Sequence, residues 1–174
     1  TDELDIPVEV VSLLQGNWQW QANQHNIQIN MPNVSSTEQQ AQKIIAPNNW
    51  GREPGYLECT PWEHIHINHP GEKILVLGSG EFSWIPFLIA EQLEQQGAET
   101  YFSSTTRSPI MQGHAIKSIC QFHDNYGLNI QNFAYNVKHQ EFDRVLLVIE
   151  THQDSVDPSL FEQIKNLEVI SYEP

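Results

Sequence analysis

The stretch from Lys73 to Gly97 constrains the fold of this chain more than any other part of it. Lys73 to Leu77 (KILVL) is a short apolar run, Gly78-Ser79-Gly80 comes at once after it, a helical pattern runs from Phe82 to Gln96, and Gly97 closes it. Thr100-Tyr101-Phe102 then starts a second strand pattern. An apolar run without polar alternation suits a strand covered on both faces. A glycine turn, a helix and a Gly cap between two such strands make the order of a βαβ unit, whose strands are parallel. Arg144 to Ile149 (RVLLVI) repeats the buried-strand pattern, and Leu167 to Tyr172 supplies a last strand. Between them Asp157 reads as an N-cap with Pro158 at the first helical position. The expectation is an α/β fold: a Rossmann-like, open, mainly parallel sheet with helices on both faces. Strands are expected near 73–77, 99–103, 144–150 and 167–172, and helices near 82–96 and 158–166. Gly113 to Val137 is less regular, with Asn132 to Val137 as one more strand candidate.

Upstream the composition changes. Gln15, Gln19, Gln21, Gln24, Gln28 and their Asn neighbours make residues 1–47 a Gln/Asn-rich arm with little core-forming power, so 48–174 is read as the α/β domain. Within the arm, Pro7 to Leu14 has the spacing of one or two helical turns, and Trp18 with Trp20 alternates like a strand that needs a surface to pack on. The chain opens on Thr1 and its first Met is Met31, which leads to the expectation of a piece cut from a longer protein, following a missing domain. Across 174 residues the net charge is −14, a poor match to nucleic acid or an anionic membrane, neither of which is expected as a partner. No apolar run approaches the roughly 18 residues that a spanning helix requires. Cys59 and Cys120 are isolated from each other, which points to reduced thiols, and with no secretion signal the expected location is cytoplasmic.

On open parallel sheets, ligands bind beyond the carboxyl ends of the strands. The first strand delivers Gly78, Ser79, Gly80 and Glu81 there, at the start of a helix whose N-terminus favours an anion. Ser83 and Trp84 stand where a dinucleotide motif needs its third glycine, so no nucleotide cofactor is expected. Glu81 either accepts hydrogen bonds from ligand hydroxyls or amines or only complements the helix dipole. The second strand delivers Thr105, Thr106, Arg107 and Ser108, with Ser103, Ser104 and Pro109 around them. An Arg fork, several hydroxyls and a Ser-Pro suited to opening a helix make a cradle for phosphate or carboxylate. The alternative is a helix cap with Arg107 paired to a nearby carboxylate. The third strand delivers Glu150; this resembles the ribose-binding strand of phosphoribosyltransferases, but the residues after it contain no glycine for a phosphate loop. His64, His66 and His69 share a strand-like spacing without a fixed Cys or carboxylate partner, so no metal site is expected. There is no G-x-S-x-G elbow for a serine nucleophile.

Taken together, KILVLGSGEFSW, YFSSTTRSPI, DNYG, NFAYNV and FDRVLLVIET resemble the TRSP domain family, over roughly Trp50 to Glu150. Its eponymous motif is Thr106-Arg107-Ser108-Pro109, and Gly80-Glu81 matches a second. The resemblance implies a domain that follows a phosphoribosyltransferase domain in the same polypeptide, among bacterial tellurite-resistance and stress-response neighbours that make a nucleoside-like metabolite. The function expected from it is a ligand-binding or co-catalytic domain taking a small phosphorylated or nucleoside-like ligand. The alternative is a non-catalytic module that organises partner enzymes of a stress-response pathway.

Overall fold

The computed structural model describes residues 16, 17, 19, 21, 44–46, 51, 52, 62–138 and 141–171. The chain divides into two compact units, Thr1–Asn30 and Met31–Pro174. Of the first, Gly16, Asn17, Gln19 and Gln21 are described and exposed. The expected turns at Pro7 to Leu14, the Trp18/Trp20 pair and Cys59 lie outside the described residues. Among the described residues, every strand and helix belongs to the second unit.

Its apolar runs become the centre of one sheet. Strands β1 (Lys73–Gly78), β2 (Glu99–Ser104), β5 (Arg144–Ile149) and β6 (Leu167–Ser171) form a four-stranded sheet in the order β2-β1-β5-β6. Every pairing in it is parallel. The two central strands are the two runs without polar alternation, because both of their faces are covered. Ile74, Val76, Leu146 and Val148 point to one side, where helix α1 (Trp84–Gln95) packs Ile85, Ile89 and Leu93, with Trp62 and Ile65 beside them. Leu75, Leu77, Val145, Leu147 and Ile149 point to the other.

Each face carries a helix, as expected, but on the second face the helix is short and shares the cover with an unexpected β-ribbon. Helix α2 (Pro158–Gln163) contributes Leu160, but the rest is an antiparallel ribbon, β3 (Ile119–His123) with β4 (Gln131–Tyr135), which places Cys120, Phe122 and Ala134 on the sheet. The ribbon forms a separate two-stranded sheet. A strand near Asn132 is expected from the sequence and β4 supplies it, whereas β3 is not expected, since only alternate residues of ICQFH face inward. The observed architecture is thus a mixed α/β unit with a four-stranded parallel sheet and few helices. Asp157 caps α2 as its sequence indicates, accepting from Ser159 N at 2.9 Å. Among the described residues no helix is long and apolar enough to cross a membrane.

The strand order sets where the central strands part. The chain goes from β1 to β2 on one side of the sheet, then returns past β1 to reach β5 on the other. β1 and β5 therefore diverge into different connections at their carboxyl ends, the topological position at which open α/β sheets hold ligands.

Candidate functional site

At the end of β5 Glu150 is 1% exposed, and a buried carboxylate demands a partner. The partner is Arg52, 98 residues away, whose Nε and Nη2 donate to Oε2 and Oε1 at 3.2 and 2.5 Å. Its remaining arm, Nη1, donates to Glu81 Oε2 at 3.1 Å. The Tyr126 hydroxyl lies 3.0 Å from Glu150 Oε1 and 2.9 Å from the Ser79 carbonyl oxygen. The hydrogen bond to Glu150 holds the Arg52 guanidinium above its ordinary range, and burial pushes the Tyr126 phenol up, so both keep their protons.

Arg52 is placed by the residue before it. Gly51 has φ +77°, and a Cβ there would meet Phe82 at 2.3 Å and Ile85 at 2.7 Å, so the backbone approaches α1 at a distance that only glycine permits. The Gly51 carbonyl accepts from Trp84 N at 2.8 Å and Ile85 N at 3.3 Å, and the next residue is Pro86, which has no N–H. The start of α1 is therefore stoppered by the chain itself. The Trp84 and Ile85 amides at the helix N-terminus expected to favour an anion are thus already bonded within the chain.

The TTRSP loop is also not the start of a helix, contrary to expectation. Residues 105–118 are irregular, and their polar groups fasten the loop to β4. Thr106 and Phe133 exchange backbone hydrogen bonds at 2.9 and 2.8 Å. The Tyr135 hydroxyl accepts from Ile110 N at 2.7 Å and donates to the Ser108 carbonyl at 2.6 Å. Thr105 Oγ1 accepts from Gly80 N at 2.9 Å, which joins this loop to the glycine turn after β1, and Thr106 Oγ1 accepts from Ser108 N at 3.1 Å. The loop is pinned at both ends, and it presents Arg107 outward.

Between these loops lies a cleft of about 900 Å³. Of the residues proposed from sequence, Gly80, Glu81, Thr105, Thr106, Arg107 and Ser108 line it. Glu150 sits beneath Arg52 and Tyr126, which both line it too. Gly78 and Ser79 serve the scaffold instead. A Cβ on Gly78 would stand 2.6 Å from the Phe82 carbonyl oxygen, and Ser79 donates to Asn125 Oδ1 at 2.6 Å within the core. Sequence reasoning misses Arg52 as a site residue because it lies in a Gly/Pro-rich loop. The available signal is charge: a buried strand ending in Glu150 needs a cation, and the chain has few. His64, His66 and His69 are exposed, and among the described residues no group of three His, Cys, Asp or Glu side chains is placed to hold a metal.

The arginines decide what the cleft can do. Arg52 is taken by Glu150 and Glu81, and Arg144, at the opposite end of the sheet, pairs with Glu168 at 3.0 Å and Glu72 at 3.6 Å. Among the described residues Arg107 has no carboxylate partner. The expected alternative, an ion-paired Arg107, is therefore not what the described residues form, and no carboxylate among them takes its fork.

A family model for the TRSP domain, described as lying C-terminal to PRTase_2, a phosphoribosyltransferase domain, matches residues 61–164, more than half of the chain. The chain belongs to the TRSP domain family. The match includes Glu81, Thr106-Arg107-Ser108-Pro109 and Glu150, while Ile44, Ala46, Gly51 and Arg52, which complete the cleft and its floor, precede it. No curated protein and no solved structure matches the chain at a significant level.

Proposed function

We propose that this TRSP domain is a ligand-binding or co-catalytic partner of a phosphoribosyltransferase domain in the same polypeptide, and that its cleft recognises a phosphorylated or nucleoside-like metabolite in the cytoplasm. The observation that carries the reading is an arginine without an acidic partner among the described residues, in a strongly acidic chain, on a pinned loop at the mouth of a cleft. A charged fork without an acidic partner among the described residues can pair with a phosphate without breaking an ion pair there, and the Ser104, Thr106 and Ser108 hydroxyls stand beside it on the same wall. Glu81 on the other wall accepts hydroxyls of the ligand, held in place by Arg52. The β2-β1-β5-β6 order, with the cleft where β1 and β5 part, supports a Rossmann-like relationship.

The test is a melting-shift screen of the chain with sugar phosphates and nucleotides. A ligand present at a hundredfold its Kd adds about 2.7 kcal/mol of stability. The Arg107→Ala variant should keep its ligand-free melting point and lose that shift; a shift that survives the substitution rejects the site.

One observation favours the second reading, an interaction module. Phe87 and Phe102 are exposed, meet edge-to-face at 5.8 Å, and continue into Trp84, stacked on Phe87 at 5.7 Å, beside edge strand β2. Phe87→Ser with Phe102→Ser should abolish co-purification with a partner enzyme on this reading and leave ligand binding unchanged.

A further inference from the structure

Resting on that reading of the cleft, we infer that the ligand carries a single phosphate monoester and not a diphosphate, so that the domain takes the product side of phosphoribosyl transfer rather than its diphosphate donor. The charges around the cleft set the limit. Arg52 and Arg107 are its cationic walls, but each of the three guanidinium nitrogens of Arg52 already donates to Glu150 or Glu81. Arg52 and Arg107 against Glu81 and the underlying Glu150 sum to zero, and among the described residues of the cleft the one open positive group is Arg107.

Most backbone donors near the cleft are already used. The α1 amides of Trp84 and Ile85 are taken by Gly51, and the loop amides of Thr105, Thr106, Ser108 and Ile110 are taken by Gly78, Phe133, Thr106 and Tyr135. A diphosphate placed on Arg107 would carry its second phosphate into a cleft where Arg52 is already bonded to two carboxylates and Glu81 has a side chain 86% exposed. Like charges within one cleft repel even where it is partly aqueous. A sugar in the same space instead offers hydroxyl donors to the Glu81 carboxylate, and Ile44, Ala46 and Leu128 give an apolar wall for a flat ring.

Phosphoribosyl transfer produces such a molecule. A bond forms from the acceptor atom to C1 of the ribose, the bond from C1 to oxygen breaks, diphosphate leaves with the electron pair, and the acceptor's proton passes to water. The product keeps one phosphate, the 5-monoester. The class of reaction that supplies the ligand is therefore transfer onto an acceptor by the associated domain, with this cleft as the next station.

Isothermal titration of the whole chain with ribose 5-phosphate, AMP, phosphoribosyl diphosphate and inorganic diphosphate, with and without magnesium, tests this. Ribose 5-phosphate or AMP should bind at least about fivefold more tightly than either diphosphate, the scale of one like-charge repulsion across such a cleft. Arg107→Ala should abolish that binding, and Glu81→Gln should narrow the ratio by admitting the diphosphates. Equal or tighter Arg107-dependent binding of phosphoribosyl diphosphate overturns the inference and leaves the cleft a phosphate site. Failure of all four probes to bind removes the site reading along with it.

Discussion

The two ends of the parallel sheet carry the same ionic device with different consequences. At the amino end Arg144 bridges Glu72, 1% exposed, and Glu168, 54% exposed. At the carboxyl end Arg52 bridges Glu150, 1% exposed, and Glu81, 86% exposed. At the amino end the circuit closes on itself. Glu72 also accepts from the backbone and side-chain amides of Asn68, at 2.6 and 2.7 Å, and Arg144 donates to the His66 carbonyl at 3.0 Å. At the carboxyl end Glu150 has only the Tyr126 hydroxyl besides Arg52 among the side chains described, and the assembly forms the floor of a cleft with Arg107 open opposite. An arginine between two glutamates is thus a clasp where loops close over it and the floor of an open cleft where they stand apart.

The largest way to break this comparison is to remove each bridging arginine. Arg52→Ala strands Glu150 with one remaining donor and should cost about 3–5 kcal/mol in urea unfolding, the scale for breaking a buried ion pair. Arg144→Ala should cost less, because Asn68 keeps two donors on Glu72. The reverse ranking would mean that the amino-end cluster is the stronger clasp. Next in size, Gly51→Ala forces a side chain into left-handed backbone and onto Phe82, and should cost about 2–3 kcal/mol on the scale of stored backbone strain. It should also weaken ligand binding by displacing Arg52, which calorimetry would show as a lower affinity in a chain that still melts cooperatively.

A charge outside both clusters provides a control. Burial opposes ionisation of Asp157, yet hydrogen bonds from the His123 and Ser159 backbone amides hold its carboxyl down to about 2. Because the folded value lies below the ordinary 3.8, its contribution is complete above that pH and lost as pH falls from there through about 2. Asp157→Ala should cost about 1 kcal/mol at neutral pH as a lost N-cap, and the gap to the parent should close in acid. A constant gap across that window would assign the effect to packing. The smallest stability effect belongs to Arg107→Ala, within about 0.5 kcal/mol for an unpaired surface group, although it should have the largest effect on ligand binding. A larger loss in the ligand-free protein would show that Arg107 supports the fold.

The elements from Lys73 onward are legible because their signals are local. An unbroken apolar run bounded by glycine marks a strand covered on both faces, and Asp157-Pro158 marks a helix start through its own hydrogen bond and fixed φ. β3 is not legible, because in ICQFH the buried Cys120 and Phe122 alternate with exposed neighbours, and so short a pattern becomes a strand only once β4 lies beside it. Ser108-Pro109 misleads for a related reason. A local preference for opening a helix is worth less than the two backbone bonds from Thr106 to Phe133 and the Tyr135 hydroxyl, which hold the loop in an irregular path.

The candidate site divides in the same way. That Glu81, Arg107 and Glu150 stand at the carboxyl ends of strands follows from the order of residues, since each comes just after a run that must be a strand. That Glu150 is buried against Arg52, that Gly51 stoppers α1, and that Arg107 has no carboxylate partner among the described residues depend on contacts between segments up to 98 residues apart. Periodicity and capping act over a few residues and can be read along the chain, whereas the pairing of Arg52 and Arg144 with their acids depends on which loops the sheet brings together, and only the folded chain decides that.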